Sequence, residues 1–193
     1  MSQHVSNQRK TGLLRKLKAG LLPLLTLLGG CVYSLQPWYP EGTGGAEPAL
    51  RGVWREAGGQ DTWVFLANGD SLRLLYQEDN QSGEFFALNF RVGENAFLDL
   101  SPVPGSYASG PVSWYLLPLH GLHRWTLDQD TLRLSSLNPQ SVELLLEGTE
   151  HPRLEKLDNR LLFLGSREEM ADFLESRLQD PALYDEPTVL VRE

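Results

Sequence analysis

Residues able to do chemistry are few in this chain, and most gather in its middle. His120-Gly121-Leu122-His123 sets two imidazoles three positions apart, with Asp128 and Asp130 close behind. On a strand, residues three apart point to opposite faces, so the two rings converge only if Gly121 makes a bulge. Neither a cysteine-rich nor a His-Glu-x-x-His spacing accompanies them, and no metal is expected. Ser106 and Ser109 sit in a proline- and glycine-bearing stretch, residues 102–111, that lacks the Gly-x-Ser-x-Gly elbow of a strained nucleophile. A Ser109, His120 and Asp99 assembly has no spacing to support it. Asp99 is flanked by Leu98 and Leu100, and alternation puts it on the face opposite both, as a solvated strand carboxylate. Pointing into a barrel instead, it would be a polar anchor for a ligand. His120 reads as a structural histidine bonded to the loop before it. Phosphate loops and dinucleotide fingerprints are absent from the sequence. No catalytic residue, metal or cofactor is assigned on these grounds.

The remaining reactive side chain is the lone cysteine, Cys31. Arg9, Lys10, Arg15, Lys16 and Lys18 precede an apolar, mostly leucine run over residues 19–30. That run is shorter than the roughly 20 residues that span a bilayer, and it reads as the core of a signal peptide. Pro23 inside it would kink a lasting helix, which a cleaved segment tolerates. The small residues of Leu28-Gly29-Gly30-Cys31 resemble the lipobox of bacterial lipoprotein precursors. The resemblance implies cleavage between Gly30 and Cys31, acylation of Cys31, and a hold on membrane lipid through the acyl chains. It places the protein in the cell envelope. Val32 stands where an aspartate would resemble an inner-membrane retention signal, which in a Gram-negative host points to the periplasmic face of the outer membrane.

Charge supports that division. Residues 1–30 hold five of the 17 Lys and Arg and none of the 25 Asp and Glu, which leaves 12 against 25 and a formal charge of −13 on the rest. Such a body repels phosphate backbones, so nucleic acid is excluded as a partner. It would not adhere to anionic headgroups either, so attachment must come from the anchor. With one cysteine no internal disulfide can form.

The elements that would position these residues come in order. Residues 1–30 are the signal peptide, 31–50 a lipidated flexible tether, and 51–193 a single β-rich globular domain. The tether reading rests on Pro37, Pro40, Pro48, Gly42, Gly44 and Gly45, which exclude a continuous helix or central strand. Trp38 and Tyr39 there either lie at the lipid–water interface or pack on the domain. Short strands are predicted at 53–57, 61–66, 71–77, 84–92, 95–101, 112–119, 120–128 and 131–135, joined by turns such as Asn68-Gly69-Asp70. The 112–119 run is apolar on both faces and needs a cover, for which two later helices are the candidates. Asn138 and Pro139 open the first helix, and Ser166 with Glu169 forms a capping box for the second. A strand at 160–164 precedes that box, and residues 189–191 return to the sheet edge.

The fold class is therefore mainly β with appended α: an antiparallel meander of about eight strands, closed or half-open, with two C-terminal helices on one side. Gly52-Val53-Trp54 resembles the start of lipocalin-type barrels. Together with Phe97-Leu98-Asp99-Leu100 and Leu117-Pro118-Leu119-His120 it is similar to a group of bacterial lipoproteins without an assigned role. The barrel so implied would hold an apolar ligand lined by Phe86, Leu88, Phe90, Asp99, Trp114 and His120. The function expected is non-enzymatic, either binding an apolar small molecule or serving a structural role beside an envelope protein. The alternative is an envelope hydrolase or metal-dependent enzyme near Asp99 and His120. Radiolabelled palmitate should enter the wild-type chain and not Cys31→Ser; equal labelling of the two would remove the anchor.

Overall fold

A computed structural model of the chain describes residues 32–39, 41–78, 81–105, 117–148, 153–157 and 160–193. The signal-peptide segment with Gly30 and Cys31 lies outside them. The elements in chain order are β1 (Val32–Ser34), β2 (Gly52–Glu56), β3 (Thr62–Asn68), β4 (Ser71–Glu78), β5 (Gln81–Val92), β6 (Asn95–Pro102), β7 (His120–Asp128), β8 (Thr131–Ser136), α1 (Pro139–Leu146), β9 (Leu154–Leu157), β10 (Arg160–Phe163), α2 (Arg167–Arg177) and β11 (Thr188–Arg192). Tight turns fix the registers. Asn68 pairs with Ser71 across a two-residue loop whose Gly69 takes φ +59°, a conformation that glycine adopts at no steric cost.

From β2 to β8 each strand pairs antiparallel with the next. β11 then lies antiparallel between β8 and β2, with Leu190 opposite both Leu132 and Glu56. An eight-stranded antiparallel barrel closes in this way. The C-terminal strand expected at a sheet edge is the one that shuts the ring. The strand expected at 112–119 has no place in it. β6 bonds directly to β7, from Leu100↔Gly121 to Ala96↔Trp125, which leaves no slot between them. Residues 117–119 form no strand, and 112–116 lie outside the described residues.

Alternation divides the apolar residues into two cores. Trp54, Phe65, Leu72, Leu74, Ala87, Leu98, Trp125, Leu132, Leu134 and Leu190 pack inside the barrel. Phe90, Phe97 and Leu122 point outward from β5, β6 and β7 and are covered by Val142 and Leu146 of α1 and Met170, Phe173 and Leu174 of α2. This is why β6 is buried on both faces. The helices start where the sequence says. Asn138 caps α1 through Oδ1, which accepts from Ser141 N at 2.9 Å, and Ser166 and Glu169 form the reciprocal capping box of α2.

Residues 32–50 correct the tether reading. They strap the outer wall. β1 pairs antiparallel with the start of β7 (Tyr33↔Gly121, Ser34↔His120) and parallel with β10. Trp38 has no exposed surface and meets Phe163 edge-on at 5.5 Å, so of its two expected settings it takes packing on the domain. Gly44 passes so close to β5 that an added Cβ would come within 1.6 Å of Leu88 Cδ2. Gly45 then bonds Asn89 in both directions, at 2.8 and 2.9 Å, along the part of β5 that β4 does not reach. Proline and glycine prevent a helix here, but an extended strand edge accepts what they allow. Since the outer face of β5 carries this core, Phe90→Ala should cost about 3–5 kcal/mol. Phe86→Ala, at a ring 37% exposed, should cost under about 1 kcal/mol. Urea unfolding separates the two, and similar losses would contradict the two-core arrangement.

Candidate functional site

The two ends of the barrel are finished differently. At one end the 3₁₀ turn Pro48–Leu50 inserts Leu50 beside Trp54, both with no exposed surface. Trp54 Nε1 donates to Leu50 O at 2.8 Å, and the Arg192 guanidinium lies 4.1 Å above the indole. Arg192 also donates to the carbonyls of Arg51 at 2.6 Å and Ala49 at 2.7 Å, closing that end. The other end, where β6 runs out into the 103–119 connection, keeps a cavity of about 500 Å³. Its floor is apolar, with Trp63, Leu74, Phe85 and Leu100 turned inward by the strand period. Small-molecule sites are commonly cavities of roughly 300–1,000 Å³ with few polar groups.

Those few polar groups are specific. Trp63 meets Tyr76 edge-on at 4.9 Å, and Tyr76 donates from its hydroxyl to Asp61 Oδ2 at 2.6 Å. Burial, and then this hydrogen bond, push the Tyr76 phenol above its ordinary range, so it stays a donor. Trp63 Nε1 is buried and has no acceptor among the described residues. A buried donor left unpaired costs about 1–3 kcal/mol. His123 borders the cavity with Nδ1 3.1 Å from Ser136 Oγ. Burial pushes its pKa down to about 4, so at neutral pH the ring offers one N–H and one lone pair. Glu78 and Arg160 stand at the rim. Glu56 nearby is raised by burial first and then by the charges of Asp61 and Glu78. The arrangement can hold an apolar molecule bearing a hydrogen-bond acceptor. A second groove, about 280 Å³ between Arg124, Arg133, Tyr184 and Asp185, is mixed in charge and shows no comparable floor.

The residues expected to line a lumen lie elsewhere. Phe86, Leu88 and Phe90 point out of the barrel: Phe86 toward solvent beneath Arg73, Leu88 under the strap at Gly44, and Phe90 stacked on Phe97 at 5.4 Å. Their neighbours Phe85, Ala87 and Asn89 face inward, with Asn89 Oδ1 accepting from Trp125 Nε1 at 3.0 Å. Asp99 and His120 are brought together, but on the outer wall. His120 Nδ1 lies 2.8 Å from Asp99 Oδ1, while Trp38 N donates to Asp99 Oδ2 at 2.8 Å and Trp38 Nε1 to the His120 carbonyl at 3.0 Å. Asp99 is thus neither solvated nor in the barrel; it is 2% exposed beneath the strap. His120 and His123 face opposite sides of β7, as the strand period requires. Trp114, Ser106 and Ser109 lie outside the described residues.

Trp63, Tyr76 and Ser136 escaped the sequence reading, and His123 entered it only as one half of the His120/His123 pair. His123 shares a face with Trp125, and Ser136 with Leu134 and Leu132, so alternation alone assigns them to the interior. No protein-family model matches the chain, and no curated protein or solved structure matches it.

His123 gives stability a definite pH dependence. Its folded pKa, about 4, lies below the ordinary 6.5. Between those values the unfolded chain takes up a proton that the folded chain refuses. The contribution is whole above about pH 6.5 and is lost as pH falls toward 4. The slope is at most roughly 1.4 kcal/mol per pH unit between those two values. Urea midpoints at pH 7 and 4.5 should fall less in His123→Gln than in wild type.

Proposed function

We propose that this is a lipid-anchored bacterial envelope protein whose barrel holds an apolar small molecule in its open end without transforming it. The observation that carries the reading is the apolar cavity of about 500 Å³ at this end of the barrel. Several features support the rest. The anchor reading draws on the basic segment, short apolar run and lone Cys31. No helix among the described residues is long and apolar enough to cross a membrane. A non-catalytic role is favoured because both Asp99 oxygens are engaged, by Trp38 and His120. The lipocalin-like reading is supported by Gly52-Val53-Trp54 standing at the first barrel strand.

Gly121 offers a clean test. A Cβ added there would meet His123 Nε2 at 3.6 Å and the Leu100 carbonyl at 3.8 Å, which are ordinary contacts. The side chain of Gly121→Val would therefore occupy the cavity without forcing the wall apart. Wild-type protein should bind the fluorescent apolar probe N-phenylnaphthylamine, with palmitate displacing it. Gly121→Val should bind it about tenfold more weakly, a change of about 1.4 kcal/mol, at an unchanged melting temperature. Equal binding by both proteins would place the probe elsewhere and defeat the proposal.

A further inference from the structure

We propose that the open end of the barrel faces the bilayer, so that the cavity takes an acyl-chain lipid directly from the membrane surface. The inference rests on acylation of Cys31, and it adds the orientation and the source of the ligand. Cys31 is bonded to Val32, with Cα atoms about 3.8 Å apart. Val32 is fixed in place. It is 4% exposed, pairs with Leu161, and begins the short strand held by Gly121 and His120. Val32 and Tyr33 both border the cavity. A flexible tether of some twenty residues would let the body wander roughly 25 Å in any orientation. The strap removes that freedom. Acyl chains on Cys31 must enter the bilayer, and the cavity wall begins one residue later.

The rim suits that position. Leu117 is 62% exposed and borders the cavity together with Leu119 and Pro102. Apolar side chains there gain by burial at a lipid interface, where such elements sit about 5–10 Å deep. The rim carries both signs, in Arg160 and Glu78, so the strongly acidic body does not prevent approach to a zwitterionic surface. An acyl chain that passed through water to reach the cavity would expose its methylenes, which is unfavourable in proportion to the apolar area. A mouth at the bilayer avoids that exposure. The closed end, with the Asp70 turn, lies roughly 25 Å away along the eight residues of β4.

The lone native cysteine makes the test selective, because acylation consumes its thiol. Full-length Leu117→Cys and Asp70→Cys proteins, purified as lipoproteins, are labelled with a fluorophore and reconstituted into phosphatidylcholine vesicles containing a nitroxide lipid. The Leu117 label should be quenched several-fold more strongly than the Asp70 label, and a pyrene-labelled fatty acid in the vesicles should become protected from an aqueous quencher in a way that Gly121→Val weakens. Equal or reversed quenching with Cys31 acylated would overturn the orientation and leave the anchor standing. A mature N-terminal peptide without acyl chains would instead overturn the anchor and the orientation together.

Discussion

Closure of the ring is the constraint on which the rest of this structure depends. β11 completes it by pairing with strands from opposite ends of the chain, β8 and β2, and β6 meets β7 without an intervening strand. A closed ring has no edge to protect and fixes a hard distinction between inside and outside. Once the ring is shut, the period of two decides every wall residue, and a slip of one position would exchange the two cores. The interior core of Trp54, Phe65 and Leu98 and the exterior core of Phe90, Phe97 and Phe163 both exist because β5 to β7 are apolar on both faces.

The exterior core needs a cover, and the strap is part of it. Trp38 is its keystone, burying an indole against Phe163 and sending both of its N–H groups to the wall, one to Asp99 and one to the His120 carbonyl. A buried carboxylate is costly unless its oxygens are bonded, and here each oxygen has a donor or imidazole partner. Asp99 and His120, which the sequence offered as an alternative reactive pair, hold the strap in place through these contacts. They tie the segment that begins at Val32 to the barrel wall.

The interior is filled unevenly. Leu50 and Trp54 plug one end, while at the other, beyond Pro102 of β6 and before His120 of β7, a cavity remains among the described residues. The polar groups kept there include an indole N–H with no acceptor among the described residues and a histidine that burial keeps neutral. They lie on the inward faces of β3 and β7.

Much of the architecture was legible in the sequence. Turn residues and alternation located seven of the barrel strands, the caps at Asn138 and Ser166 located both helices, and a mainly β closed or half-open barrel followed. Local chemistry is enough for these because a turn or a cap is satisfied by neighbours a few residues away. What the sequence could not decide were facts of distant contact. Residues 188–192 look like any short strand until β8 and β2 are seen on either side. On β5 the rows Phe85-Ala87 and Phe86-Leu88-Phe90 are both apolar, so pattern alone cannot say which faces the lumen, and the cover over the outer row settles it. Proline and glycine in residues 32–50 declare only that no helix forms; whether the chain floats or lies against a strand edge depends on an edge being open at Asn89. Asp99 and His120, far apart in sequence, become partners only because β6 and β7 are paired and Trp38 closes over them.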